Sequence, residues 1–241
     1  MSRNQQEQEQ EQKLKEQKLK EQICDIGKRM YMKDMGAAND GNISVKISED
    51  SLLCTPTGVS KGFMTPDMIC KINNKGEVIE ENAQNTRPSS EIKMHLRVYQ
   101  ERPDVKAVVH GHPLHATAYA ICGKPLNKQI MPESTIFLGE VPVAEYGTPS
   151  TEELPNSIVP YLQDHDAILL ANHGALTCGI DLMNAYFKME SMEFYAKLLF
   201  LTSAIGEPKE LTDEQVSTLV QLREEKFKVP GRFPSLKSFQ K

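Results

Sequence analysis

The chain has 241 residues, of which 39% are hydrophobic and 25% charged, with a formal net charge of −5. That is the composition of an ordinary globular domain able to bury a sizeable core, and it excludes a disordered chain. The acidic total and the lack of a basic patch interleaved with aromatics exclude a nucleic-acid surface, and no apolar run reaches the roughly 18 residues of a membrane span.

Residues 1–22 form a Gln/Glu/Lys tract in which Glu-Gln-Lys-Leu-Lys repeats. The repeat sets Leu14 and Leu19 about 140° apart on a helix, so no apolar seam forms, and a frayed helix or disordered arm is expected. Residues 23–241 are expected to be a single domain. Ile23, Ile26, Met30 and Tyr31 share one helical face, ended by the loop at residues 36–41. Two short strands follow at 43–47 and 51–55, then the turn Thr55-Pro-Thr-Gly58, and then strands near 67–72 and 77–80. A helix is predicted over 89–100, with Ile92, Leu96 and Tyr99 on one face and Ser89 or Ser90 as N-cap.

A strand ends at His110, a helix begins near Pro113, and 141–143 is a short strand. Helix is predicted over 151–163, strand over 167–171, and the longest helix over 182–201. The tail carries Pro208, Pro230 and Pro234 and reads as a short helix plus an extended end. Strands and helices mix in about equal measure, which points to an α/β or α+β layered domain. Cys24, Cys54, Cys70, Cys122 and Cys178 are scattered without a CxxC pair, as expected for reduced thiols in a cytoplasmic protein. Cys178 reads as a small buried hydrophobe rather than a thiolate ligand.

The chemistry concentrates on histidine. His110-Gly-His112 closes the apolar run 107–109, and Asn172-His173-Gly174 follows the apolar run 167–171. In an extended strand, residues i and i+2 point to the same side, so His110 and His112 can face one point. Three imidazoles at the ends of two buried strands suggest a transition-metal site with an open coordination position.

Taken together, Gly41-Asn-Ile-Ser-Val45, Thr55-Pro-Thr-Gly58, Pro88-Ser-Ser-Glu91, His110-Gly-His112 and Asn172-His-Gly174 resemble the class II aldolase/adducin family in order and spacing, over residues 23–200. The resemblance implies a three-layer α/β/α domain around a mainly antiparallel sheet. It implies one divalent metal per chain, held by Glu91, His110, His112 and His173. Zinc is the first candidate, and manganese, cobalt and iron suit the same donors. It also implies that Gly41, Asn42, Thr57, Gly58, Ser89 and Ser90 bind phosphate through hydroxyls, an amide and backbone N–H groups. Lys61 either adds charge there or is an exposed loop lysine. His95, His115 and His165 are read as structural or as supports for the ligands.

By resemblance, the activity is metal-dependent cleavage of a ketose 1-phosphate to dihydroxyacetone phosphate and an aldehyde. The substrate would be of the fuculose type, or a 5-deoxy- or methylthio-ribulose 1-phosphate, with Glu91 carrying a proton. Family members of the fuculose type borrow a proton-transfer tyrosine from a neighbouring subunit. The corresponding segment here, 129–138, has no tyrosine and one ionisable side chain, Glu133, which becomes the candidate for that role. The expected partners are a small sugar phosphate and other copies of the chain, in a homotetramer with inter-subunit active sites and no nucleic acid or membrane. A pentulose-phosphate 4-epimerase, a methylthioribulose-phosphate dehydratase and a sugar-acid phosphate decarboxylase share the metal site and stay open. The epimerase branch has aspartate where this chain has Glu91. An adducin-like structural module has the fold but lacks the ligands.

Overall fold

A computed structural model of the chain describes residues 3–234. Eight strands form one sheet: β1 (Asn42–Lys46), β2 (Ser51–Cys54), β3 (Cys70–Asn73), β4 (Val78–Glu80), β5 (Ala107–Gly111), β6 (Val143–Ala144), β7 (Ala167–Leu170) and β8 (Gly174–Gly179). Their order across the sheet is β4-β3-β2-β1-β5-β8-β7-β6. Neighbours run antiparallel except β6 and β7, which are parallel.

Because successive side chains on a strand point to opposite faces, the sheet separates two apolar cores. Ile43, Val45, Leu53, Ala107, Val109, Leu169 and Ala175 face one side. There they meet α1 (Arg3–Met32), α3 (Leu114–Ile121) and α6 (Leu182–Ile205). Leu52, Cys54, Val108, Ile168, Leu170 and Leu176 face the other side, under α2 (Ile92–Glu101) and α5 (Glu153–Leu162). The result is the three-layer α/β/α arrangement with a mainly antiparallel sheet that the motifs implied.

The Gln/Glu/Lys tract, expected as a frayed helix or disordered arm, runs from Arg3 as regular helix continuous with residues 23–32. Glu9–Lys13, Glu11–Lys15 and Glu16–Lys20 pair one turn apart along it. Glu16 also reaches Lys71 of β3 at 2.7 Å, and Leu19 packs against the core. These tertiary contacts are what a periodicity argument over the tract alone leaves out.

Two elements lie outside the sequence reading. β8 is bounded by Gly174 and Gly179, poor strand formers, and it is held by its central position between β5 and β7. The helix α4 (Pro132–Phe137) starts with proline at its first position, where the missing N–H costs nothing. In the tail, α7 (Asp213–Leu222) opens on a capping box between Thr212 and Gln215, as the expected short helix, and a π-helical turn at Arg223–Phe227 follows it in place of an extended segment. Among the described residues no helix is long and apolar enough to cross a membrane.

Candidate active site

Three segments bring the histidines together. His110 is the fourth residue of β5 and His112 lies just past its end, both on the α2 side. Asn172, in the connection from β7 to β8, adopts a left-handed conformation with φ 55°, which asparagine tolerates better than most residues. That turn delivers His173. Gly174 must be glycine, because a Cβ there would lie 2.5 Å from Gly111 O and 2.6 Å from His112 Cδ2. The ring centroids of His110, His112 and His173 lie 4.8–5.1 Å apart. One nitrogen from each falls within 4.8 Å of the others.

Glu91, at the N-cap position of α2, faces this cluster. Its Oε1 is 3.1 Å from His173 Nε2 and its Oε2 is 3.4 Å from His110 Nε2. Burial works against its charge, but His110 and His173 beside it hold the carboxyl well below the usual carboxylate range. Burial and the neighbouring imidazoles His110 and His173 push His112 down to about 4.

The other ring nitrogens show how the cluster is aimed. His110 Nδ1 donates to Ala175 O at 2.9 Å, and His112 Nδ1 donates to Asp40 Oδ2 at 3.2 Å. Both Nε2 atoms are buried without a hydrogen-bond partner among the described residues. An imidazole fixed from behind with a free inner nitrogen is the arrangement of a metal-ligating histidine. These two nitrogens, together with His173 Nε2 and the Glu91 carboxylate that it faces, fit a divalent first-row cation such as zinc.

Next to the cluster lies a cavity of about 240 Å³. Gly41, Asn42, Thr57, Gly58, Ser89 and Ser90 line it, together with Lys61, Glu91, His112 and His173. The loops at 55–58 and 88–91 are joined by a β-bridge between Pro56 and Pro88, and Ser89 N donates to Thr55 O at 3.2 Å. Gly58 turns with φ +72°, a conformation that favours glycine. Asn42 also reaches the cluster, since its Nδ2 donates to Glu91 Oε2 at 2.9 Å.

Lys61 is buried, with 5% of its surface exposed, which removes the exposed-loop alternative. Its Nζ donates to Asn39 O at 2.8 Å and Val59 O at 2.7 Å, and burial lowers its pKa to about 8. Asp40, the support of His112, is a residue that sequence reasoning missed. Its only signal was a place in the loop before Gly41.

The structure does not bring Glu133 to this cluster within one chain. Glu133 is exposed in the first turn of α4 and lines a separate cavity of about 590 Å³ with Lys33, Met35, Glu190 and Glu193. That cavity touches the loop whose Met35 O accepts from His112 N. His115 Nδ1 lies 2.6 Å from Glu193 Oε1, and His165 Nδ1 donates to Tyr161 O at 3.2 Å. Cys178 is buried beside Asp166, and burial pushes its thiol up.

Residues 21–200 match the model of the class II aldolase and adducin N-terminal domain. The chain belongs to the class II aldolase family, and that membership supports a lyase. The L-fuculose phosphate aldolase of Escherichia coli O157:H7 is 33% identical over 211 residues, 87% of this chain and 94% of that protein. The 3-oxo-tetronate 4-phosphate decarboxylase of Escherichia coli O6:H1 is 33% identical over 185 residues, 75% of this chain and 85% of that protein. A solved L-fuculose 1-phosphate aldolase superposes with a TM-score of 0.77 at 31% identity, covering 86% of this chain and 96% of its own.

Proposed function

We propose that this protein is a metal-dependent aldolase that cleaves a ketose 1-phosphate to dihydroxyacetone phosphate and an aldehyde. The observation that carries this reading is the pair of buried, partnerless Nε2 atoms of His110 and His112. That of His110 lies 3.4 Å from the Glu91 carboxylate, and the cluster borders a cavity rich in hydroxyls that is also lined by Lys61. Glu91, His110, His112 and His173 would hold a divalent cation, which would supply a Lewis acid for negative charge developing beside a substrate carbonyl.

The protein's own groups do the rest. Thr57, Ser89, Ser90, Asn42 and the backbone at Gly41 and Gly58 bind the phosphate, with Lys61 adding charge. A base removes the proton from the hydroxyl beyond the scissile bond, the carbon–carbon bond breaks, and a proton returns to the carbon left behind. Glu91 is the carrier for that returned proton. As a ligand beside a divalent cation the carboxylate would be weakly basic, so it would have to swing away from that cation to act. Glu133 is the base, contributed by a neighbouring copy in a closed homo-oligomer, in keeping with its exposed position on α4.

A second reading is decarboxylation of a sugar-acid phosphate, favoured by the 33% identity to a decarboxylase of that kind. A purely structural, adducin-like role is disfavoured by the retained ligand set. The test is to incubate zinc-, manganese- or cobalt-loaded protein with dihydroxyacetone phosphate and a panel of aldehydes, following consumption of both. Metal-dependent consumption with one aldehyde is expected. Carbon dioxide release from a 3-oxo sugar-acid phosphate, with no aldol product, would give the activity to the second reading.

A further inference from the structure

Behind Glu91 a chain of buried polar side chains crosses the α2 side of the sheet. Tyr99 OH lies 2.8 Å from Ser44 Oγ, Ser44 Oγ 2.7 Å from His95 Nδ1, and His95 Nε2 2.6 Å from Asn42 Oδ1. Asn42 Nδ2 then donates to Glu91 Oε2 at 2.9 Å. The four supporting residues are 0–7% exposed.

The carboxylate at one end sets the direction of the chain. The Asn42 amide presents Nδ2 to a carboxylate that can only accept, so Oδ1 faces His95 and must accept. His95 Nε2 therefore carries the hydrogen. Burial lowers the His95 pKa to about 3, which keeps the ring neutral and leaves Nδ1 as an acceptor. Ser44 then donates to Nδ1 and accepts from Tyr99. A reversed Asn42 amide would set Oδ1 against the carboxylate, two acceptors with no hydrogen between them.

We infer that His95 is a positioning residue for Glu91: braced by Ser44 and Tyr99, its Nε2–H holds Asn42 Oδ1 and so keeps Nδ2 in place to donate to Oε2. Glu91 does not touch His95, so the effect passes wholly through Asn42. This rests on the reading of Glu91 as a metal ligand. It assigns to His95, Ser44 and Tyr99 a part in the chemistry of the site, although none of the three lines the cavity.

The test uses the full chain with cobalt(II) as probe, in wild type, His95→Phe, His95→Gln, Ser44→Ala and Glu91→Gln. Affinity is read by chelator competition at fixed neutral pH and coordination by the visible cobalt bands. His95→Phe should bind cobalt about 10–100-fold more weakly, the usual effect of losing a group that orients a ligand, with altered bands. His95→Gln should recover most of both, because its amide can donate to Asn42 and accept from Ser44. If His95→Phe does not fold, Ser44→Ala decides, with about a 10-fold loss expected from the same cause. Wild-type affinity and bands in folded His95→Phe or Ser44→Ala, beside a Glu91→Gln that has lost cobalt, would overturn the positioning role alone. Undiminished cobalt binding by Glu91→Gln would overturn the ligand reading and this inference with it.

Discussion

Lys61 carries a stability signature that its surroundings fix in sign. Its ammonium is buried between Asn39 O and Val59 O, with Asp40 and Glu91 as the nearby opposing charges. Burial lowers its pKa from 10.5 to about 8, despite both carboxylates. At about 1.4 kcal/mol per pH unit, that difference corresponds to up to ~3 kcal/mol. Between pH 8 and 10.5 the unfolded chain still binds this proton and the folded chain does not. Stability from this group therefore rises with pH across that window and is flat below it. In Lys61→Met this component vanishes, whereas the other lysines, tyrosines and cysteines titrate in both proteins. Urea unfolding of wild type and Lys61→Met at a series of pH values isolates it. The difference in unfolding free energy should move toward wild type by up to ~3 kcal/mol as pH rises through the window. A difference that stays constant within about 0.5 kcal/mol would refute the reasoning, because it would mean that Lys61 keeps an ordinary pKa in the folded protein.

Two further outcomes follow from the same geometry. Asp166 binds Arg102 at 2.9 Å, Lys188 at 2.7 Å and the Arg232 backbone N–H at 2.9 Å, all but the last between buried side chains. Asp166→Asn should therefore cost about 3–5 kcal/mol in urea unfolding, and a loss below about 1 kcal/mol would show that Arg102 and Lys188 find other partners. Glu133→Gln should lower kcat about 10²–10⁴-fold with metal content and KM nearly unchanged, as for a general base. If Glu133 serves a neighbouring copy, mixing Glu133→Gln with inactive His110→Ala subunits should restore some turnover, and turnover of Glu133→Gln within a few-fold of wild type would remove it from the mechanism.

What could be read from sequence was whatever depends on short-range alternation or on motif order. The i, i+2 spacing of His110 and His112 sufficed to set both rings on one side of β5, the end of the second apolar run gave His173, and the motif order added Glu91. The two cores also follow from alternation, since Ala107 and Val109 face one way and Val108 the other. The burial of Lys61 was not legible, because one of the carbonyls that hold it, Asn39 O, lies 22 residues away in a different loop. The same holds for Asp40 behind His112, a contact across 72 residues. β8 escaped notice because its two terminal glycines hide a strand whose pairing with β5 and β7 supplies what its composition lacks.

The two faces of the central strands divide the work of fold and site. On β1 and β5, Ile43, Val45, Ala107 and Val109 fill the core against α1, α3 and α6. The opposite face of the same strands carries Ser44, Asn42 and His110, with Ser44 directly across from Val108 and Asn42 across from His110. Each buried apolar side chain contributes about 1.5–3 kcal/mol, so a run of polar groups there forgoes stability that the first face must provide. Ser44 and Asn42 are tolerated there because each group of the chain from Tyr99 to Glu91 is satisfied by the next. Removing one member strands its neighbours as buried, unpaired groups at about 1–3 kcal/mol each. An apolar replacement is therefore harmless only if the whole chain is replaced together, and that would leave Glu91 without its amide donor. The network is kept or lost as a unit, and what it sustains is the orientation of one carboxylate.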